Sequence, residues 1–318
     1  MRPLWKDILI AIWLGMILPG IVLNAFVLHD RHREIPQVQP EQGNAAQNNS
    51  PFIPVRDWDG ACHPMELDDY LICVLLAEMP AEFHLEALKA QSVAARTYTW
   101  KAFTTGGKHG DNSVCMDSAC CQAYIPEETY LTSGGTAENL EKVRQAVQAT
   151  RAMVLTYEGG LIEATYFSSS GGSTEAALEV WGADFPYLQP VSSPEPVREE
   201  SVCFTPQEFQ NQMGKSFSGT PSEWFGPVTY TEGGGVETME IAGEVYTGVE
   251  LRSLLGLRST DFRVSVEGET ITFTTYGYGH RVGMSQYGAD AMAVAGSTYA
   301  EILSYYYQGT TLTRLTQS

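Results

Sequence analysis

Basic side chains are scarce in this 318-residue chain: 19 lysines and arginines stand against 38 aspartates and glutamates, a formal net charge of −19. So little positive charge cannot neutralise a run of phosphates, which excludes a nucleic-acid partner. An acidic balance suits a neutral or weakly charged substrate instead. Also missing is any repeat of fixed period, so the chain is not a repeat array. No small-residue cleavage site follows its one long apolar run, which argues against a signal peptide that is removed. Core material is plentiful: 43% of residues are hydrophobic, enough for one large or two modest domains.

The apolar run, Ile8 to Leu28, is uncharged and interrupted only by Gly15, Pro19, Gly20 and Asn24. As a helix it is long enough to cross a hydrocarbon core of ~30 Å. A cleaved signal is the alternative, but the run exceeds a usual signal core. Arg2 and Lys6 precede it and Arg31 and Arg33 follow, which tips the orientation slightly to a cytoplasmic N-terminus. Glutamine, asparagine and proline then dominate, with no apolar period. The expected layout is a single-pass cell-membrane protein. It has a cytoplasmic tail at 1–7, a transmembrane anchor at 8–28, a disordered linker at 29–55 and an extracytoplasmic domain at 56–318.

In that domain Leu67, Leu71, Val74 and Glu78 recur at helical spacing and stop before Pro80. A carboxylate therefore falls on an apolar helix stripe. Apolar surroundings disfavour its charge and make it a candidate acid near neutral pH; the plainer reading is a glutamate that faces solvent or pairs with Arg96. Leu85 to Phe103 predicts a second helix, rich in alanine and able to approach the first closely. Gly106 to Cys121 reads as a loop, and Ala137 to Thr150 as a helix. Ala152–Tyr157 and Ile162–Phe167 flank Glu158-Gly159-Gly160 as a hairpin, as Phe262–Val266 and Thr270–Thr275 flank Gly268. Thr298 and Glu301 form a capping box, and Gly309 suits the stop. Helices and antiparallel strands in separate runs make the fold class α+β.

Six cysteines occur: Cys62, Cys73, Cys115, Cys120, Cys121 and Cys203. His109, Cys115, Cys120 and Cys121 fall within one short loop, a donor set for tetrahedral zinc of the structural kind. Adjacent Cys120 and Cys121 are poorly placed to bridge each other. Disulfides to Cys62 or Cys203 are the competing reading outside the cytoplasm, and Cys73 lies inside an apolar helix. A Cys/His peptidase fits worse, because no cysteine opens a helix beside a distant histidine.

Three long blocks carry a resemblance. LDDYLICVLLAEMPAEFHLEALKAQSVAARTYTW (67–100), YFSSSGGST…VWGADFPYLQPV (166–191) and YGYGHRVGMSQYGADAMAVAGSTYAEILSYYYQG (276–309) closely resemble the stage II sporulation protein D family. The resemblance covers nearly all of the chain after the linker. It implies a helical arm and a β-rich arm flanking a glycan-binding groove. It also implies lytic cleavage of peptidoglycan glycan strands, already stripped of stem peptides by an amidase, during engulfment in sporulation. Glu78 matches the family's catalytic glutamate. Arg96 matches a position associated with activity, to orient Glu78 or hold a sugar oxygen; a salt bridge to Asp68 or Asp69 is the alternative. Tyr187 matches a functional position, although Gln189 replaces a lysine common two residues later.

The same resemblance makes His280, Ser285 and Gln286 groove-lining, and Ser168, Ser169 and Ser170 candidates for touching sugar hydroxyls. Arg281 stands where the broader family has glycine. Some family members carry zinc in the cysteine loop through two histidines and two cysteines; here Cys120 stands in for one histidine. The implied partners are the glycan strands, a membrane-anchored amidase (stage II sporulation protein P-like) and an engulfment membrane protein (stage II sporulation protein M-like). The implied location is between the mother-cell and forespore membranes. Related amidase-enhancer proteins supply a rival reading, a glycan-binding module that stimulates an amidase without cutting. Glu78 in its full AEMP setting favours the enzyme.

Overall fold

The computed structural model describes residues 50–315. The expected tail and anchor, and the linker up to residue 49, lie outside the described residues. Among the described residues no helix is long and apolar enough to cross a membrane. Order begins before residue 56: Phe52–Arg56 is strand β1, antiparallel to β2 (Cys62–Glu66). Ile53 and Val55 alternate inward and are buried, so residues 52–55, expected as disordered, are strand. Pro54 and Pro64, opposite each other in the ladder, hide that alternation from a sequence reading.

The first half of the domain is helical. Helix α1 (Leu67–Glu78) buries Leu67, Tyr70, Leu71, Val74 and Leu75. It ends because Met79 precedes a proline and is forced into extended backbone, φ −129° and ψ 138°. Helix α2 (Leu85–Thr105) starts where His84 Nδ1 accepts the Glu86 N–H, and stops at Gly106, whose φ of 92° lies in the left-handed region. Its buried Ala87, Ala90, Ala94 and Ala95 let neighbouring helices approach closely. The expected loop after α2 holds one short strand, β3 (Val114–Cys115), parallel to β1. Helices α3 (Glu127–Thr132) and α4 (Ala137–Ala149) follow.

Strand β4 (Met153–Tyr157) pairs with only two residues of the expected hairpin, β5 (Gly160–Leu161). Ile162 and Ala164 turn into the helical core instead. Then β6 (Tyr166–Phe167) crosses over to the C-terminal region of the chain. After the short helix α5 (Ala177–Trp181), residues 199–276 build a separate lobe. It comprises β7 (Glu199–Phe204), α6 (Pro206–Met213), β8 (Phe225–Tyr230), β9 (Val236–Ile241), β10 (Glu244–Thr247), α7 (Gly248–Leu255), β11 (Phe262–Glu267) and β12 (Thr270–Tyr276). Its two three-stranded sheets, β10-β9-β8 and β11-β12-β7, enclose their own core. Phe209 is the hub of that core, stacked on both Trp224 and Phe273. The lobe is entered at Glu199 and left at Tyr276, which are partners on one rung of the β7–β12 ladder.

Strand β13 (Met284–Ser285) then pairs in parallel with β6, and helices α8 (Gln286–Val294) and α9 (Tyr299–Tyr306) return to the helical core. Gly288 permits the close contact between them, since a Cβ there would sit 2.0 Å from the Tyr306 hydroxyl oxygen. The capping box at Thr298 and Glu301 forms as expected. Helix α9 ends at Tyr306, and Gly309, at φ 71°, turns the chain into β14 (Thr311–Arg314), which pairs with β4. Among the described residues the architecture is α+β with several small sheets and no closed barrel.

Two fully buried arginines tie these parts together. Arg96 on α2 holds Asp68 at the start of α1 (3.2 Å) and the carbonyls of Val147 and Thr150 at the end of α4 (3.2 and 2.8 Å). Cationic hydrogen bonds there suit a helix C-terminus. Arg281 bonds the Ser170 and Ser173 carbonyls, Glu175, and the Gly233 carbonyl of the lobe. Its φ of 65° is a conformation that favours glycine, in keeping with the residue the broader family has there. Arg281 is an internal strut.

Candidate active site

Glu78 is the last residue of α1 and is half-buried. Its Oε1 accepts the Ala123 backbone N–H at 2.7 Å. Burial raises its pKa above the ordinary carboxyl value, while the Ala123 N–H and the Tyr166 hydroxyl pull it back. Burial prevails, so the carboxyl keeps its proton further toward neutral pH than a free glutamate does. The single proton of the Tyr166 hydroxyl is donated to Gln122 Oε1 at 2.9 Å, and Gln122 Nε2 donates to Thr99 at 2.8 Å. Residues 122 and 123 thus brace the acid from below.

Two depressions meet at Glu78. One, of about 700 Å³, is walled by Tyr98, Tyr166, Trp181, Phe185 and His280, with Cys120 and Cys121 at its edge. The other, of about 590 Å³, runs past Tyr130, Ser168, Gln286 and Tyr287. Tyr278 lines both. These volumes lie in the range of small-ligand sites. The other carboxylates on the walls are engaged: Glu163 with Lys101 at 2.5 Å, and Glu82 with Asn139 at 2.9 Å.

His280 lies in the wall of the larger depression. Burial, reinforced by Arg252, pushes its pKa down to about 4, against a hydrogen bond to the Tyr166 backbone. The Val282 N–H donates to Nδ1, in keeping with a neutral imidazole near pH 7. It wedges between Phe167 and Trp181, with ring centroids 5.7 and 5.0 Å away. Trp181 and Tyr278 are about half exposed, at 44% and 51%, and line the depressions that meet at the acid. Sequence reasoning passed over both. The available signal was a large aromatic immediately before Gly182, which ends α5 in the left-handed region at φ 68°.

Several expected site residues are elsewhere. Arg96 is fully buried and bonded to Asp68 and the end of α4, so it neither orients Glu78 directly nor meets a sugar; the salt-bridge alternative describes it. Tyr187 is buried behind the wall: its hydroxyl accepts the Glu163 N–H and its ring packs on Phe185. Gln189 donates to the Phe185 carbonyl and so supports the same wall. Ser285 is buried, caps α8 and donates to Glu195 at 2.7 Å, so its polar group is committed inside the protein. Gln286 does line the cleft, with a buried Nε2 that has no hydrogen-bond partner. Ser169 is buried, its Oγ also unpartnered, and lines an adjoining depression.

The cysteine loop brings its four donors together. The ligand atoms of His109, Cys115, Cys120 and Cys121 all lie within 4.8 Å of one another. His109 Nε2 is 3.7 Å from both Cys120 Sγ and Cys121 Sγ, and those sulfurs are 3.9 Å apart. Tetrahedral zinc with Zn–S of ~2.3 Å and Zn–N of ~2.0 Å needs edges of roughly 3.8 Å between sulfurs and roughly 3.5 Å from sulfur to nitrogen. The donor set fits such an ion, whereas a disulfide needs ~2.05 Å. Cys62 and Cys203 are exposed, Cys73 is buried, and all six cysteines are free.

Residues 60–157 match the family model described as Stage II sporulation protein. Two relatives named Stage II sporulation protein D are each 40% identical to the chain. That of Bacillus subtilis (strain 168) aligns over 268 residues, 81% of this chain and 78% of the relative; that of Bacillus amyloliquefaciens aligns over 252 residues, 76% and 73%. The Amidase enhancer of Bacillus subtilis (strain 168) is 32% identical over 300 residues, 76% of this chain and 40% of that protein.

Proposed function

The chain belongs to the stage II sporulation protein D family, and we propose that it is a lytic transglycosylase that cleaves peptidoglycan glycan strands during sporulation. The observation that carries this reading is Glu78: a half-buried carboxyl with a raised pKa where two aromatic-walled depressions meet. In the reaction, protonated Glu78 gives its proton to the glycosidic oxygen as the C1–O bond breaks. The C6 hydroxyl of the same sugar attacks C1 and returns its proton to the Glu78 carboxylate. The product is a 1,6-anhydro end, no water is consumed, and one carboxyl serves as acid and then base, where hydrolytic glycosidases use a pair. Trp181 and Tyr278 offer ring faces for sugars on either side of the break.

His109, Cys115, Cys120 and Cys121 would hold a structural zinc ion, which contributes folding free energy and takes no part in the chemistry. Its place next to Gln122 and Ala123 links the metal loop to the acid. The strands acted on are those freed of stem peptides, and an amidase and an engulfment membrane protein are the proposed partners. Residues 8–28 would anchor the protein with its domain outside the cytoplasm. Retention in washed membranes tests that; a soluble form beginning after about residue 25 means a cleaved signal instead.

The similarity to an Amidase enhancer favours a second reading, glycan binding that stimulates a partner amidase. One experiment separates them: mass spectrometry of fragments released from peptide-free glycan strands. The wild type should release anhydro-ended fragments and Glu78→Gln should lose at least ~10²-fold of that activity. Equal cleavage by Glu78→Gln refutes the assignment. No cleavage by either, with an amidase accelerated by both, establishes the enhancer.

A further inference from the structure

A third depression, of about 470 Å³, adjoins the Glu78 cleft and shares Ser168, Tyr278 and Tyr287 with it. Two arginines line it, in a chain whose net charge is −19. Arg258 is occupied: it pairs with Glu200 at 2.5 Å and lies 5.0 Å over the Tyr278 ring. Arg198 is different. Its Cζ stacks 3.7 Å from the centroid of the Tyr287 ring, which Phe83 holds edge-on at 4.9 Å. Among the described residues no carboxylate forms an ion pair with it. The Arg198 backbone is fixed too, since its carbonyl accepts the Gly277 N–H at 2.7 Å.

Stacking occupies the face of a guanidinium and leaves its N–H edge for a planar acceptor. Ser169, 1% exposed, lines the same depression, and its Oγ has no hydrogen-bond partner. A buried hydroxyl left unpaired is costly unless something fills its place. Glu199 and Glu200 also line the depression, so its charges balance, and an anion meets less repulsion there than over most of the protein.

We propose that Arg198, with Ser169, forms a carboxylate-binding subsite of the cleft, and that the group it takes is the free lactyl carboxylate of a muramic acid residue. This rests on the glycan-strand reading above. With a stem peptide attached, the lactyl carbonyl is a neutral amide. Amidase action turns it into a planar anion that matches the guanidinium edge in shape and charge. Arg198 therefore reads whether a strand has been stripped.

The test measures binding by the full-length protein carrying Glu78→Gln, which keeps strands uncut. The probes are peptide-free glycan strands and the same strands with their carboxylates converted to amides. The parent should bind the free-carboxylate strands roughly 5-fold tighter at low salt, the size of an exposed ion pair. Adding Arg198→Gln should abolish that preference and leave binding to amidated strands unchanged, whereas a merely structural role would weaken both. A preference that survives Arg198→Gln, or a parent that does not distinguish the strands, overturns the subsite and leaves the lyase reading standing. A parent that binds neither strand overturns the glycan reading itself.

Discussion

Removing the Tyr166 hydroxyl takes from Glu78 a hydrogen bond that favours its charged form. A hydrogen bond to a charged group contributes about 1.5–3 kcal/mol. At 1.36 kcal/mol per pKa unit, complete loss would raise the Glu78 pKa by ~1–2 units. Tyr166 has a single proton and also serves Gln122 Oε1, so the lower end, about one unit, is expected for Tyr166→Phe. The Ala123 N–H stays in place, and Gln122 keeps its bond to Thr99, so the support beneath the acid survives. In the proposed reaction Glu78 must be protonated to act, so its pKa would set the alkaline limb of kcat/KM. Release of anhydro-ended fragments by Tyr166→Phe, followed from about pH 5 to about pH 9, should show that limb about one unit higher than in the wild type. A limb that stays put, or moves to lower pH, refutes the reasoning. A uniform loss of rate with an unmoved limb would give Tyr166 a structural role only.

The raised pKa of Glu78 also has a stability signature. Its folded value lies above its unfolded one, so its contribution is fully present below the unfolded pKa of ~4.3 and lost as pH rises through the folded value. Glu78→Gln should therefore melt with the wild type near pH 4 and above it near pH 8 in thermal scans; a gap that does not grow with pH contradicts this. Purified protein should carry about one equivalent of zinc by elemental analysis, and a chelator should lower its melting temperature. Cys121→Ser should lose metal and, because Ala123 lies two residues on, lose lyase activity as well; cysteines that react only after reduction would mean disulfides. Asp68→Ala leaves Arg96 buried without its counter-ion and should cost about 3–5 kcal/mol in denaturant unfolding; a loss under about 1 kcal/mol would mean that solvent reaches the pair.

Much of the helical half was legible because its signals are local. An apolar stripe halted by a proline yields α1 and puts Glu78 at its end, and four donors in a short loop need no knowledge of the fold to be grouped. What escaped was set by distance along the chain. The lobe's core joins Phe204 to Phe273, and Phe209 to Trp224 and Phe273, contacts that no short window can see. Arg96 and Ser285 lay in the right motifs, but whether a polar group faces a cleft or a buried acid is decided by packing. Trp181 was missed for the same reason: its exposure, the property that matters, is invisible in sequence. Other signals were present and unread. The capping boxes at Thr205 and Thr247 start α6 and α7 by the same rule that located α9 at Thr298.

The lobe's single rung of entry and exit, Glu199 beside Tyr276, has an evolutionary consequence. Paired residues on neighbouring strands lie only ~5 Å apart, so everything between them forms one excursion that begins and ends at nearly the same point. Such a segment can be lengthened, shortened or exchanged without rethreading the helices that hold Glu78, because the closing strands need only keep their register. Variation in this family can therefore accumulate in the lobe as a cassette. Arg281, reaching across to the Gly233 carbonyl, and Glu175, accepting from Thr231 and Gly235, mark contacts that each new cassette would have to rebuild.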